Sequence, residues 1–425
     1  MSTPQAIPFV SAQDPEIAAT IRGEEKRENE GLELIPSENY VSKAVLEANG
    51  SVFTNKYSEG YIGRRYYGGQ QYTDEMEKIC IERACQLFDC KYANVQPLSG
   101  APMNIAVYFG LLEIGDTVLG MDLSHGGHLT HGHPVTHVAK VFNFVRYGMK
   151  DTTTGEIDYE ALREVALREK PKMILAGYSA YTRELDYQKF VDIAKEVGAI
   201  TMMDASHIGG LIAGKAAKNP FDYGFDIITT TTHKSLRGPR GGLILIREDE
   251  EIFKKINKAV FPGLQGGPHM HIQCAKAVCF GEALRPEFQT YAKQVIKNAQ
   301  AMAEVFLDAD IRLIGGGTDN HCLLADVYGS LGITGREAET VLDEIGITLN
   351  MNMIADDPRK PMDPSGIRFG TPPMTTRGFD ESDAKFVAEL MVKVLKDHKN
   401  EGLIKEAREE IRTLCLSKPV PDSFV

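Results

Sequence analysis

Two apolar stretches of the sequence end in polar residues of unusual chemistry. The stretch 199–203 is followed directly by Asp204, and the stretch 225–228 is followed by four threonines, His233 and Lys234. Both stretches have the composition of buried strands, so the carboxylate and the lysine are expected at one edge of the same sheet. Taken alone, Asp204 also suits a helix cap or a turn, and Lys234 suits a solvated surface position.

As a pair, Asp204 and Lys234 match the needs of pyridoxal phosphate. A lysine that is partly removed from water has a lowered pKa, and its neutral amine can form a Schiff base with an aldehyde. Pyridoxal phosphate is the aldehyde cofactor held in this way, and its pyridine nitrogen needs an aspartate to stay protonated. The sequence therefore predicts pyridoxal phosphate bound by these two residues.

Two glycine-rich turns could hold the phosphate of this cofactor. Ser99 and Gly100 follow a predicted strand and open a predicted helix, and backbone N–H groups at a helix N-terminus bind anions. The run 263–267, which ends in Gly267, offers a second cradle. Turns of this kind are common in α/β proteins, so neither is specific by itself.

The stretch 123–133, LSHGGHLTHGH, is the densest histidine cluster of the chain. Its glycines predict a loop, so metal-ligand spacing along a helix does not apply. Histidine is the commonest metal ligand, and a flat imidazole could also lie against a cofactor ring. From the residues alone, metal binding, ring stacking and plain loop histidines all stay open.

Two further charged residues are candidates for substrate contacts. Arg368 lies in a short apolar strand, where a buried guanidinium favours a bidentate partner such as a substrate carboxylate. An interior ion pair explains it equally well. Glu59, among the tyrosines of KYSEGY, could act as a general acid or could be a surface carboxylate.

The candidate residues are positioned by strands and helices that alternate along the sequence. The sequence predicts strands at 92–95, 117–121, 141–145, 172–177, 199–203, 225–230 and 242–246, with helices at 102–112, 158–169 and 187–197. Such alternation is typical of α/β folds with a mostly parallel sheet. Beyond Pro286 the pattern changes to long amphipathic helices with short strands. We therefore expect an N-terminal arm (1–45), a large cofactor-binding domain (46–286) and a smaller α+β C-terminal domain (287–425).

Composition narrows the class of protein. The chain has 425 residues, 43% of them hydrophobic, a net charge of -12 and seven cysteines. No apolar run approaches the ~20 residues of a membrane span, and the first residues lack the pattern of a secretory signal. We therefore expect a cytoplasmic protein without a membrane or nucleic-acid partner. The cysteines are expected to be buried thiols, because their spacing suits neither a zinc site nor a disulfide framework.

From about Leu34 to Leu395, the sequence resembles serine hydroxymethyltransferase, a pyridoxal-phosphate enzyme of the aminotransferase-like fold (fold type I). The resemblance rests on the segments LIPSENY, TNKYSEGYIGRRYYGG, NVQPLSG, LGMDLSHGGHLTHG, MMDASHIGGL, TTTTHKSLRGPRGG, FPGLQGGP, GGTDNH and SGIRFGTP. Together these segments are far more specific than any one of them.

The resemblance implies roles for individual residues. The cofactor would be held by Ser99, Gly100, His128, Asp204, His207, Thr231, His233, Lys234 and Gly267. In this set Lys234 would form the Schiff base, His128 would stack on the ring, and His207 would contact the ring hydroxyl or the substrate. Gly267 would reach the phosphate of the neighbouring subunit, which implies a homodimer with shared active sites, whether or not two dimers assemble further.

Substrate and folate contacts are implied in the same way. Serine or glycine would be bound by Ser37, Tyr57, Glu59, Tyr67 and Arg368, with Glu59 transferring a proton near the hydroxymethyl group. Tetrahydrofolate would be bound by Leu123, Gly127, His128, Leu129 and Asn352. The resemblance thus favours ring stacking and folate contact over a metal for the histidine cluster.

The implied reaction reversibly transfers the hydroxymethyl group of serine to tetrahydrofolate, giving glycine and 5,10-methylenetetrahydrofolate. A folate-independent aldolase or hydroxymethyltransferase acting on another β-hydroxy or α-methyl amino acid is the alternative within the same chemistry. A histidine-rich metallohydrolase is the alternative from a different class. An inactive binding paralogue is disfavoured because Lys234, Asp204, His128, Arg368 and Glu59 are all present.

Three positions differ from the pattern of the family. Ala101 stands where many relatives have a serine, whose hydrogen bond to the phosphate is worth roughly 1 kcal/mol. Met351 replaces a usual lysine beside Asn352, and Ile62 replaces a usual proline. The last two changes fall on the folate side of the expected site.

Overall fold

The computed structural model describes residues 7–423. The chain divides into two compact units. One unit is Lys43–Lys293, and the other combines the described residues up to Ser42 with those from Gln294 onward. The domain boundaries expected at 45/46 and 286/287 stay a prediction.

A seven-stranded sheet forms the centre of the unit Lys43–Lys293. Its strands are β1 (Tyr92–Asn94), β2 (Thr117–Met121), β3 (Asn143–Tyr147), β4 (Met173–Gly177), β5 (Ile200–Asp204), β6 (Ile227–Thr231) and β7 (Gly242–Ile246). Their spatial order is β1-β7-β6-β5-β4-β2-β3. Every pair is parallel except those of β7, which runs antiparallel to β6 and β1. The predicted α/β class with a mostly parallel sheet is confirmed.

The central strands are buried along their whole length. Each residue of β4, β6 and β7 is buried, as expected for apolar and β-branched runs that are covered on both faces. The helices of this unit are Lys43–Asn49, Gln71–Phe88, Gly100–Leu111, Tyr159–Glu169, Tyr187–Val197, Gly209–Ala213, Glu250–Lys258 and Met270–Ala283. Asp158 and Asp186 cap the N-termini of two crossover helices, which explains where these helices begin.

One helix of this unit carries both core and site residues. Met103 and Val107 of Gly100–Leu111 pack in a cluster with Val118, Leu175 and Met202 of the sheet. All five side chains are fully buried, and each such burial contributes about 1.5–3 kcal/mol to stability. The N-terminus of this helix is thereby fixed at the sheet edge where β5 and β6 end.

The other unit is built on a three-stranded antiparallel sheet with Gly366–Gly370 in the centre. Its outer strands are Cys322–Asp326 and Asn350–Asn352, and Leu32–Glu33 pairs separately with Ile347–Thr348. Its helices include Pro15–Glu30, Gly335–Glu344, Pro372–Thr376, Glu381–Lys396 and Glu401–Ser417. A long helix spans Pro286–Asp308.

The N-terminal helix is tied into this second unit by one arginine. Arg377 donates from Nη1 to the carbonyls of Glu28 (2.9 Å) and Gly31 (2.7 Å), where the helix Pro15–Glu30 ends. From Nη2 it also donates to the carbonyl of Cys415 (2.6 Å) in the C-terminal helix. A buried guanidinium thus satisfies the last carbonyls of two helices at once.

Several elements differ from the prediction, and two of the differences have a clear physical cause. Strand β3 begins at Asn143, because residues 138–140 form a short 3-10 turn and Val141 still has helical backbone angles. The helix Met270–Ala283 was not predicted. It is buried on several sides against Lys43–Asn49 and Gln71–Phe88, so its sequence lacks a polar face.

Among residues 7–423, no helix has the length and apolar character needed to cross a membrane.

Candidate active site

The candidate site begins where β5 and β6 end side by side. The two strands are parallel, and Asp204 is the register partner of Thr229. Thr231 ends β6, and His233 and Lys234 follow in the next turn. The predicted arrival of Asp204 and Lys234 at one edge of the sheet is therefore confirmed.

Asp204 is buried and accepts four hydrogen bonds. Its Oδ2 accepts from Asn104 Nδ2 (2.8 Å) and pairs with His131 Nε2 (3.1 Å), while Oδ1 accepts from the N–H (3.1 Å) and the hydroxyl (2.6 Å) of Ser206. Burial alone would raise the pKa of Asp204, but the hydrogen bonds of His131 and Ser206 and the charges of His131 and His128 hold the pKa below its usual range. Asp204 is therefore an anion at neutral pH.

The histidine cluster forms a loop whose internal hydrogen bonds fix the ring of His131. His131 Nδ1 accepts from the backbone N–H of His128 (3.1 Å), so a neutral His131 carries its proton on Nε2 and donates it to Asp204. His128 Nδ1 accepts from the N–H of Thr130 (3.2 Å). His128 is half-buried and its ring centroid lies 5.7 Å from that of His131.

The same loop contains a possible metal-ligand set. Ligand atoms of His128, His131 and Asp204 lie within 4.8 Å of one another. Geometry alone permits a cation here, which is the alternative that the sequence left open. Asp204 already accepts hydrogen bonds on both carboxylate oxygens, so a cation would have to displace established donors.

Ser99 and Gly100 form an anion cradle at a helix N-terminus. Ser99 is the N-cap of Gly100–Leu111, and its side chain makes no capping hydrogen bond, so it leaves the N-terminal amide groups of the helix available. A Cβ atom on Gly100 would lie 2.9 Å from Cγ2 of Thr231. The cradle therefore lies against the end of β6 and has room for glycine only.

His233 has a buried ring nitrogen with no hydrogen-bond partner among the described residues. Burial is the main cause that lowers the pKa of His233 to about 3, and the positive charges of Arg240, Lys234 and Lys276 lower it further. The ring is therefore neutral at physiological pH. An unpaired polar atom in the turn that holds Lys234 is a polar group that a ligand could satisfy.

His207 lies beside the turn that carries Lys234. The hydroxyl of Ser235 donates to the carbonyl of His207 (2.8 Å) and accepts from the N–H of Gly210 (3.0 Å). Thr231 Oγ1 donates to the carbonyl of Ser206 (3.3 Å). The turns that follow β5 and β6 are thus joined by side-chain hydrogen bonds.

The loop that contains Glu59 faces a cavity of about 500 Å³. The cavity is lined by Glu59, Tyr66, Phe261, Pro262, Gly263, Leu264, Gln265 and Gly266. Tyr57 and Tyr67 form an edge-to-face pair with ring centroids 5.6 Å apart. A Cβ on Gly267 would lie 3.0 Å from the ring of Tyr57, so within this chain Gly267 lies against that tyrosine.

Arg65 holds the Glu59 loop in place, a role that sequence reasoning missed. Its Nη1 donates to the carbonyls of Ser58 (3.0 Å) and Gly60 (2.8 Å), the two residues that flank Glu59. Its Nη2 is paired with the buried carboxylate of Glu77. Sequence gave little indication of this role, because Arg65 is one of two adjacent arginines in a polar stretch.

The remaining predicted residues of unit Lys43–Lys293 are Leu123, Gly127 and Leu129. Leu123 and Leu129 are 36% and 45% exposed, so both could contact a ligand from solvent. A Cβ on Gly127 would lie 2.2 Å from the carbonyl oxygen of Met121, which requires glycine where the loop crosses the end of β2.

The other unit contains Ser37, Arg368 and Asn352. Arg368 Nε donates to Asn350 Oδ1 (3.1 Å), and burial lowers the pKa of its guanidinium. Asn352 is the register partner of Gly366 and donates to the carbonyl of Met353 (2.6 Å). Ser37 follows a segment that packs on the end of the Arg368 strand, where Gly370 N–H donates to the carbonyl of Leu34 (2.8 Å).

Asn104 is a further buried residue that the sequence did not single out. Asn104 lies one helical turn after Gly100. Its side-chain NH₂ group donates to Asp204, and its side-chain oxygen accepts from Thr229 Oγ1 (2.9 Å). The only sequence signal was its position in the stretch SGAPMN, four residues beyond the cradle glycine.

The family model described as serine hydroxymethyltransferase matches residues 10–391 of the chain.

Proposed function

The chain belongs to the serine hydroxymethyltransferase family, and from this membership we propose which residues carry each part of its reaction. It is a pyridoxal-phosphate-dependent glycine hydroxymethyltransferase with tetrahydrofolate as co-substrate. Bound pyridoxal phosphate supplies an electron-accepting ring that stabilises charge at the α-carbon of the amino acid.

Three observations support the fit of pyridoxal phosphate to the unit Lys43–Lys293. The cradle at Ser99 and Gly100 suits a phosphate, and His233 has a buried nitrogen that lacks a partner among the described residues. Asp204 is an anion held on the same sheet edge as Lys234. We therefore propose that the cluster of His128, His131 and Asp204 serves this cofactor, because the chain belongs to a pyridoxal-phosphate family.

We propose that Lys234 holds the cofactor covalently and that Asp204 keeps the proton on its pyridine nitrogen. The low pKa of Asp204 supports this role, because an acid that stays ionised stabilises a protonated ring nitrogen beside it. When the cofactor is bound, His128 would stack on its ring, and His207, Thr231 and His233 would complete the contacts to it. The parallel register of β5 and β6, with Asp204 opposite Thr229, is the observation that carries the proposal.

For the substrate, Arg368 and Ser37 bind the carboxylate together with Tyr67. A half-buried guanidinium in an apolar strand supports this role, because it offers two parallel N–H donors in a fixed orientation. Glu59 moves the proton of the hydroxymethyl group. Its loop is held by the hydrogen bonds of Arg65 to Ser58 and Gly60, which we call the Arg65 clamp. These residues would hold the amino acid in one orientation beside the bound cofactor, which lowers the barrier to cleavage of the bond.

Tetrahydrofolate is proposed to contact Leu123, Gly127, Leu129 and Asn352. The exposed leucines 123 and 129 support an apolar contact with its aromatic rings. Gly267 is proposed to reach the phosphate of a partner subunit, which makes the homodimer the functional unit. The compartment proposed is the cytoplasm.

The experiment that tests the function is the cleavage of serine to glycine with and without tetrahydrofolate. We expect cleavage to depend on tetrahydrofolate, and equal rates in both reactions would reject the folate-dependent assignment. The Lys234→Ala variant should be inactive and colourless, whereas wild type should absorb visible light with pyridoxal phosphate bound. Lys215→Ala, which alters an exposed lysine of the same unit, serves as the matched control. Analytical ultracentrifugation tests the dimer.

A further inference from the structure

A second lysine lies close to the candidate site, and the reaction as described does not use it. Lys276 belongs to the helix Met270–Ala283 and is 1% exposed. Its ammonium donates to three backbone carbonyls, those of Val95 (2.7 Å), Pro97 (3.2 Å) and Gly242 (2.7 Å). Two of these lie just after β1, and the third is the first residue of β7.

No carboxylate among residues 7–423 forms an ion pair with Lys276. The carboxylate that acts on Lys276 electrostatically is that of Glu77, which is itself bound by Arg65 and by Gln96 Nε2 (2.7 Å). Burial is the main cause that lowers the pKa of Lys276 to about 8, against the opposing influence of Cys80 and Glu77. The lysine is therefore a buried cation at neutral pH, and carbonyl dipoles are its direct partners. Such a group is costly to bury, so its place in the fold calls for a compensating anion nearby.

Two of the three carbonyls that Lys276 holds, those of Val95 and Pro97, belong to the segment 95–99, which we call the cradle loop. This loop leads directly into Ser99, the N-cap of the helix Gly100–Leu111. On its other side, the side chain of Gln265 accepts from Leu98 N–H and donates to the carbonyl of Gln96, both at 3.1 Å. Lys276 and Gln265 thus hold the backbone of the cradle loop from two directions.

The lysine side chain itself has little freedom. A Cβ atom on Gly241 would lie 2.4 Å from Cε and 2.9 Å from Nζ of Lys276. Gly242 also donates its N–H to the carbonyl of Pro97 (3.0 Å), so the start of β7 and the cradle loop meet around one ammonium group. The position of the charge is therefore set by the backbone of two segments.

We propose that Lys276 is a positioning residue for phosphate binding. Its ammonium fixes the cradle loop so that Ser99 and Gly100 present their N–H groups to the phosphate, and its buried charge favours an anion at that place. The inference rests on the proposed function, in which Ser99 and Gly100 bind the phosphate of the cofactor. Lys276 acts through the backbone and its electric field and does not touch the reacting atoms.

Pyridoxal phosphate and pyridoxal differ in the phosphate alone, so the loss of Lys276 should affect their binding differently. Pyridoxal has the same ring and aldehyde as pyridoxal phosphate, so Lys234 and Asp204 can bind both. If Lys276 acts on the cradle, its loss weakens the binding of pyridoxal phosphate and leaves that of pyridoxal unchanged. A general loss of structure weakens both ligands together.

The test is to measure the dissociation constants of both ligands by equilibrium ultrafiltration. Wild type is compared with Lys276→Gln, which keeps an amide donor but no charge, and with Lys276→Met. We expect pyridoxal phosphate to bind about tenfold more weakly or worse in both variants, the scale of one lost charge interaction. Arg83→Gln is the matched control, because Arg83 donates to Ala277 (2.6 Å) in the same helix and has no hydrogen bond to the cradle loop.

Gly241→Ala provides a second route if the Lys276 variants do not fold. The added methyl displaces the ammonium without removing its charge, and we expect the same selective loss of pyridoxal phosphate. Equal weakening of both ligands, or no weakening of either, overturns the proposal while the function stands. A wild-type protein that binds neither ligand contradicts the proposed function itself, so the two failures are distinguishable.

Discussion

The side-chain amide of Asn104 donates a hydrogen bond of 2.8 Å to the carboxylate of Asp204. Its carbonyl oxygen accepts a hydrogen bond of 2.9 Å from Thr229, which lies opposite Asp204 in the neighbouring strand. The amide orientation is therefore set, because only its NH₂ group can face the carboxylate. One residue of the helix that begins at the cradle thus fixes the acid that we assign to the pyridine nitrogen.

Replacing Asn104 with leucine is expected to reduce both cofactor affinity and kcat/KM by about tenfold to a hundredfold. The reason is the loss of a hydrogen bond to a buried charge, which is worth about 1.5–3 kcal/mol. The measurement is ultrafiltration of pyridoxal phosphate together with steady-state kinetics. Gln188→Leu removes an amide that donates to Asp192 (2.9 Å) on an exposed helix, and it should change neither quantity. Unaltered affinity in the Asn104 variant would contradict the role given to this bond.

Replacing Arg65 with glutamine is expected to destabilise the protein and to impair catalysis. The change removes the donor that holds Ser58 and Gly60 and leaves the buried Glu77 without its cation, a loss of about 3 kcal/mol. The measurement is the urea midpoint together with kcat.

The double variant Arg65→Gln/Glu77→Gln separates the two effects of the Arg65 change. It should recover part of the stability, because the unpaired charge is gone, but not kcat, because the loop beside Glu59 remains unclamped. Arg163→Gln, which breaks an exposed pair with Glu196, is the control and should alter neither property. Full recovery of kcat in the double variant would show that the clamp does not position Glu59.

Because the fold lowers the pKa of Lys276, the free energy of unfolding is expected to rise between about pH 8 and pH 10.5. Its pKa is about 8 when folded and near 10.5 when unfolded, so in this window the unfolded chain binds more protons than the folded one. Stability therefore increases as the pH rises, and the difference approaches about 3 kcal/mol above the window. Urea midpoints of wild type minus those of Lys276→Met isolate this contribution. A difference that stays flat across the window would contradict it.

Replacing Ala101 with serine is expected to tighten the binding of pyridoxal phosphate about fivefold. The added hydroxyl lies in the first turn of the helix at the cradle and can donate one more hydrogen bond, worth about 1 kcal/mol. The measurement is the dissociation constant of the phosphorylated cofactor, with pyridoxal as the control ligand. If both ligands bind more tightly, the hydroxyl does not act through the phosphate, and the prediction is contradicted.

The framework of the sheet was predictable because its strands are locally distinctive. All seven runs, including 117–121 and 242–246, appear as strands, since each is an apolar run bounded by turn residues. The meeting of Asp204 and Lys234 followed from the same pattern, because parallel strands end at the same edge. The early start predicted for β3 was wrong, because an apolar stretch does not reveal that a 3-10 turn occupies its first residues.

The supporting residues of the site were not predictable in the same way. Asn104 and Lys276 are polar residues inside largely apolar helices, and their partners Asp204 and Val95 are 100 and 181 residues away in the sequence. Nothing local distinguishes such residues from surface amides and lysines. Their roles emerge when the fold brings a carboxylate or a row of carbonyls to them.

The reversed direction of β7 has a consequence for the turn that carries Lys234. Residues 232–241 leave the sheet at Thr231 and return at its register partner Gly242, so both ends of this turn are fixed at one point of the sheet. Thr232 closes the base through hydrogen bonds with Gly241 (3.1 Å) and Gly238 (2.7 Å). A short segment closed at its base has few alternative shapes, so little conformational entropy remains to be lost when its lysine becomes attached to a ligand. Insertions in residues 232–241 should be tolerated far less than insertions in the crossover connections. Each added residue increases the conformational entropy that the turn must lose when its lysine becomes attached to a ligand.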